Sequence, residues 1–158
     1  MNPKLAMLVL VALLATACSG GGGGGTDRAS APAPASAEAS TPIQPTYTTA
    51  EQIAADIRNN GIEASDPTQA AEPGYIEEVG GTSYELSIGT DKGRRDGINM
   101  FPNPESLAMW VEPSKSFGGV AVTGDVWAVS LETDSGFRED SLLLAPRIAD
   151  ALGGTVQK

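Results

Sequence analysis

Histidine is absent from this chain and cysteine occurs once. The first absence removes the usual general base near neutral pH, the Ser-His and Cys-His nucleophile pairs and the commonest zinc ligand. The second excludes an intramolecular disulfide, so any fold must be held by burial alone. Basic residues are scarce as well, with 10 Lys and Arg against 20 Asp and Glu and a formal charge of −10. That balance argues against a nucleic-acid partner and against adhesion to anionic head groups through a basic patch. There is no G-x-S-x-G elbow, no Walker loop and no dinucleotide fingerprint. Long hydrophobic runs are lacking too. The apolar stretch at residues 5–14 is far short of the roughly 20 residues needed to cross the hydrocarbon core. These absences lead us to expect no enzyme, no catalytic residue, no cofactor and no metal.

What is present begins with residues 1–18, MNPKLAMLVLVALLATAC. A single Lys4 precedes the apolar stretch, and Ala15, Thr16 and Ala17 stand directly before Cys18. A charged start, a short apolar middle and small residues at the cut site make a secretory signal peptide over residues 1–17. The stretch LLATAC resembles the lipobox of bacterial lipoproteins, although Ala15 stands where that family usually has Leu. The resemblance implies cleavage before Cys18, acylation of Cys18 and an exported protein anchored to the outer face of the bacterial cell membrane. Ordinary cleavage after Ala15-Thr16-Ala17, leaving a free thiol, is the alternative. Each buried CH₂ contributes about 0.8 kcal/mol, so one acyl chain holds weakly and two or three hold firmly. Removing residues 1–17 takes away Lys4 and no acid, which makes the mature chain more acidic still.

Residues 18–46 contain six consecutive glycines, then Ala/Pro alternation, then Ser and Thr, with one isoleucine. Such a segment cannot bury enough apolar surface to offset its ordering entropy, and it is expected to be a disordered tether. Its reach is on the order of 30 Å. The folded domain is expected over residues 47–158. Thr48 and Glu51 form a T-x-x-E capping box, and Ala50, Ile53, Ala54 and Ile57 repeat at helical spacing. Asn59-Asn60-Gly61 supplies a left-handed stop, with Ile62 folding back and with Asp56 and Arg58 in water. Residues 63–74 read as a loop and 75–79 as a strand turning at Gly80-Gly81. Tyr84, Leu86 and Ile88 alternate with polar residues as a half-buried strand over 82–90, and 98–101 return after the charged turn DKGRRDG.

Asn103, Pro104 and Glu105 mark a helix start, with Leu107, Trp110 and Val111 as its apolar face and Pro113 as its end. Residues 120–122 and 126–131 form a hairpin about Thr123-Gly124-Asp125, with Trp127, Val129 and Leu131 on one face. An acidic loop follows at 132–140. The last helix spans 142–152, kinked or restarted at Pro146 and closed by Gly153-Gly154. The order is α-β-β-α-β-β-α, an α+β domain with one four-stranded antiparallel sheet and helices packed on a face. GTSYEL, INMF, VTGDVWAV and ALGGTV together resemble small uncharacterised actinobacterial lipoproteins. Many of those carry a cysteine pair near the end of the first helix and in the first strand. Here Ala64 and Ser83 occupy those neighbourhoods.

Several residue groups bear on chemistry. Glu132, Asp134, Glu139 and Asp140 are hard oxygen ligands at high density, but their spacing is not that of a calcium-binding EF-hand, and a solvated loop is the preferred reading. Glu77 and Glu78, as strand neighbours, point to opposite faces and are not a glycosidase pair. Ser114, Lys115 and Ser116 lack S-x-x-K spacing and read as a loop after Pro113. Lys92, Arg94 and Arg95 could grip a phosphate or carboxylate, although Asp91 and Asp96 flank them, and a charged soluble turn is preferred. Trp110 and Trp127 are assigned to the core ahead of a ligand groove. The favoured function is a membrane-anchored surface lipoprotein whose non-catalytic domain binds a protein or envelope component. A phage- or mobile-element-encoded lipoprotein blocking superinfection is a second reading, by analogy alone. A carboxylate-based hydrolase or Ca²⁺-dependent module is the third.

Overall fold

The first helix, α1 (Ala50–Asn59), is set by its cap. The Thr49 hydroxyl accepts from the Gln52 amide, and the Gln52 side chain accepts from the Thr49 amide, closing a capping box one residue later than expected. Two consecutive threonines are each followed three residues on by Glu or Gln, so local sequence permits both registers. Ala50, Ile53, Ala54 and Ile57 are buried, and Gly61 adopts φ 75° before Ile62 donates back to the Ile57 carbonyl. These features belong to a computed structural model, which describes residues 45–158 apart from Pro73 and Ser135. The expected signal peptide, Cys18 and all but the last two residues of the expected tether, Pro45 and Thr46, lie outside the described residues.

Beyond α1 the chain runs β1 (Thr68–Gln69), α2 (Tyr75–Glu78), β2 (Thr82–Leu86), β3 (Asp96–Met100), α3 (Pro104–Ser116), β4 (Val120–Thr123), β5 (Trp127–Leu131), α4 (Arg138–Leu152) and β6 (Thr155–Gln157). All strand pairings are antiparallel, in the order β1-β2-β3-β5-β4-β6. The α+β class and the antiparallel sheet are therefore as expected, but the sheet has six strands, not four. The two extra strands lie at its edges. β1 has two residues and β6 three, and each is held by pairing to a longer strand instead of by any periodicity of its own.

One apolar row fixes the register: Tyr84 opposes Ile98, Ile98 opposes Val129, Val129 opposes Val122, and Val122 opposes Val156. A slip of one residue would turn this row to the other face. The row packs beneath α1 and α4, where Ile53, Ile57, Ala145, Ile148 and Leu152 join Trp127 and Leu131 in the larger core. Tyr47 meets Trp127 edge to face at 5.5 Å. The opposite face carries a smaller core, in which Ile76 from α2, Val79 just after it and Leu107 and Trp110 from α3 join Ala121, Ala128 and Phe101. Helices thus cover both faces of the sheet. The expectation of one covered face fails because the valines and Trp127 of β4 and β5 alternate with alanines, which accept a close-packed helix as well.

Four local expectations are corrected. Tyr75–Glu78 is a single helical turn with only Ile76 buried, where a strand was expected. Pro113 does not end α3; its own carbonyl still accepts from the Phe117 amide, so one more turn forms. Helix α4 begins at Arg138, four residues early, which draws Glu139 and Asp140 out of the acidic loop and into its first turn. Pro146 sits exposed within that one continuous helix. The closing glycines behave as expected, and each has a reason. Gly153 takes φ 66° as the left-handed cap, and a Cβ on Gly154 would lie 2.7 Å from Val122 Cγ1 and 2.9 Å from the Thr123 carbonyl oxygen.

Candidate functional site

The charged turn between β2 and β3 is where side-chain chemistry concentrates. Just before β3 and at its first residue, Arg94 and Asp96 are buried, while Arg95 between them is exposed. The Arg94 guanidinium donates through Nε to Asp96 Oδ2 at 3.1 Å and through Nη2 to Asp96 Oδ1 at 2.9 Å. Both side chains are buried. Asp96 accepts two further bonds, from the Ile88 amide at 2.7 Å and the Glu132 amide at 2.9 Å. Nη2 also donates to Ser141 Oγ at 2.7 Å, and that hydroxyl donates to the Glu132 carbonyl at 2.5 Å. The guanidinium lies 5.1 Å from the Phe137 ring centroid, within cation–π range. One ion pair thereby ties the β2–β3 turn, the end of β5 and the start of α4 together. A buried pair of this kind survives because every acceptor of the carboxylate is used.

This knot forms one wall of a groove of about 440 Å³, a size suited to a small ligand or a side chain of a partner. Its deepest residues, Ile62, Ile88 and Leu144, are buried and apolar. Leu143 lines the same groove yet is 71% exposed. Arg147 and Asp140, both exposed on α4, face it as well, and neither has an ion-pair partner among the described residues. Glu63 and Asp91 complete the rim. Lys92 Nζ pairs with Glu63 at 3.1 Å, and Asp91 Oδ1 caps the Gly93 amide at 2.8 Å, so both acids are already engaged.

The residues singled out in the sequence are distributed as follows. Arg94 is buried at the groove wall, Lys92 is held by Glu63 on its edge, and Arg95 lies 3.7 Å from Glu132 with its own side chain 83% exposed. A soluble turn thus describes Arg95 and not Arg94. Glu132, Asp134, Glu139 and Asp140 do not converge; no group of three metal-ligating side chains occurs among the described residues. Glu77 and Glu78 are exposed on α2, and Ser114, Lys115 and Ser116 form the last turn of α3 instead of a loop. Trp110 and Trp127 are both buried, on opposite faces of the sheet, and neither lines the groove. Cys18 lies outside the described residues. No helix among the described residues is long and apolar enough to cross a membrane.

No family model, curated protein or solved structure matches this chain. The groove therefore stands on its own chemistry. Sequence reasoning reached Arg94 and Asp140 but missed Leu143 and Arg147, because helical periodicity picks out the apolar stripe of α4 and not the residues beside it. The available signal was Leu143 itself, a large apolar residue lying off the stripe of Leu144, Ala145, Ile148 and Leu152.

Proposed function

We propose that this protein is an exported lipoprotein, anchored through Cys18 to the outer face of the cell membrane. On that reading its α+β domain, carried on a glycine- and proline-rich tether, binds a protein or envelope component without catalysis. The anchoring part rests on the lipobox-like LLATAC behind a short apolar stretch. The binding part rests on one observation, the groove with a buried apolar base, an exposed Leu143 on its lip and unpaired charges of both signs on α4. An exposed leucine beside a concavity is the arrangement by which a pocket gains apolar contact when a ligand enters. The groove sets two arginines and three acids around aliphatic side chains, a mixture of charged rim and apolar base suited to recognition.

The test is in-cell cross-linking followed by purification of the full chain. The proposal expects one envelope component to be enriched with the wild-type protein, and to be lost both from a tether-only version and from Leu143→Glu. Equal recovery with the tether alone would overturn the binding reading, and absence of any enriched component would do the same.

A further inference from the structure

The groove has an unused donor at its wall. Arg94 is only 6% exposed, and its Nε and Nη2 bonds are committed to Asp96 and Ser141. Among the described residues Nη1 has no acceptor, yet no buried polar side-chain atom lacks a partner. Arg94 lines the groove, and Nη1 is the guanidinium nitrogen that no hydrogen bond among the described residues occupies. Its donor direction is fixed, because the fork of the same guanidinium is held by two bonds to one carboxylate. Arg147 adds a second, mobile guanidinium on the α4 side of the same cavity.

From this we infer that the groove binds a monovalent aliphatic carboxylate, with its oxygens on Arg94 Nη1 and Arg147 and its hydrocarbon against Ile62, Leu143 and Leu144. The inference rests on the binding reading above and names its ligand class. Charge decides between carboxylate and phosphate. Asp96 offsets the charge of Arg94, and Lys92 offsets Glu63. What remains on the walls is Arg147 against Asp140 and Asp91. Those two acids oppose any anion, and a dianion about twice as strongly as a monoanion, so a single negative charge held by two guanidinium donors is the one the walls favour. The apolar side chains point the same way: a bare inorganic anion would leave Leu143 facing water, where a hydrocarbon tail would cover it. A peptide C-terminus and a free fatty-type acid share this chemistry, and they differ by an amide that the ligand either has or lacks.

The test uses the purified full chain, isotope-labelled and titrated with N-acetyl-leucine, its carboxamide, 4-methylpentanoate and inorganic phosphate, read by amide chemical shifts. Saturable shifts at Gly89, Thr90 and Leu143 are expected with N-acetyl-leucine, about tenfold weaker with the carboxamide, which lacks the charge. 4-Methylpentanoate binding equally well would assign the source as a free acid, and weaker binding would assign a peptide terminus; both support a carboxylate site. Arg147→Gln, an exposed change that leaves the core intact, should weaken binding about tenfold, and Asp140→Asn should tighten it. Lys115→Gln on α3 should change nothing. Equal binding of the carboxamide, tighter binding of phosphate, indifference to Arg147→Gln, or no saturable shift would each overturn the inference. Absence of any enriched envelope component with the wild-type chain in the cross-linking experiment would instead overturn the reading beneath it, so the two failures are separable.

Discussion

Asp96→Ala should be among the most damaging single changes in the domain, and the structure sets its size. The carboxylate accepts four hydrogen bonds, two from Arg94 and one each from the Ile88 and Glu132 amides. Removing one partner of a buried ion pair costs about 3–5 kcal/mol, because the other charge is left uncompensated. Arg94 keeps its bond to Ser141, which places the charge contribution at the lower end, about 3 kcal/mol. The two orphaned amides add at least about 2 kcal/mol between them. A total near 5 kcal/mol is a large share of the 5–15 kcal/mol typical of a folded domain, so urea unfolding should shift to a much lower midpoint. The double variant Asp96→Leu with Arg94→Met separates the two contributions. It removes the stranded charge but not the orphaned amides, and it should recover only part of the loss, remaining about 2 kcal/mol below the parent. A single-variant cost under about 1 kcal/mol, or full recovery in the double variant, would refute the assignment of Asp96 as the acceptor that joins β3, β5 and α4.

Two further changes follow from the packing. Tyr47 donates to Asp56 at 2.9 Å, and burial first, then that bond and the Asp56 charge, push its phenol up to about 12 from an ordinary 10. A phenol with a raised folded value contributes stability that is fully present below pH 10 and is lost as pH climbs from 10 towards 12. Unfolding measured across that window should show a falling alkaline limb that Tyr47→Phe flattens, and phenolate absorbance should lose a step near pH 12 in the same variant. Gly154→Ala should cost about 1–3 kcal/mol, since the new Cβ meets backbone and Val122 at under 3 Å, and a calorimetric Tm unchanged from the parent would contradict that contact.

The parts of the fold legible in the sequence are those whose own residues carry the period. The β4–β5 hairpin declares itself through Val120, Val122, Trp127, Val129 and Leu131, and the start of α3 through Asn103 and Pro104. The edge strands β1 and β6 do not, because two or three residues show no alternation, and only a neighbouring strand makes them extended. Tyr75–Glu78 has one buried residue and no side-chain cap, so nothing local separates a turn of helix from a short strand. The charged turn was half legible. Its string of charges describes a solvated loop, but Arg94 lies two residues before Asp96, the first residue of β3, and the two are buried together as an ion pair. What the sequence could not carry is the partner surface. Leu143, Leu144 and Arg147 come to Ile62 and Ile88 only because α4 crosses the sheet beside α1, a relation set by the core and not by any motif.

The anchoring claim, on which presentation of the groove outside the cell depends, is tested most directly by intact-mass analysis of the chain extracted from cells. The account predicts a mature protein beginning at Cys18 and heavier than its sequence by two or three acyl chains, with the increment lost in Cys18→Ser. A mass matching an unmodified chain with a free thiol at that position would contradict it.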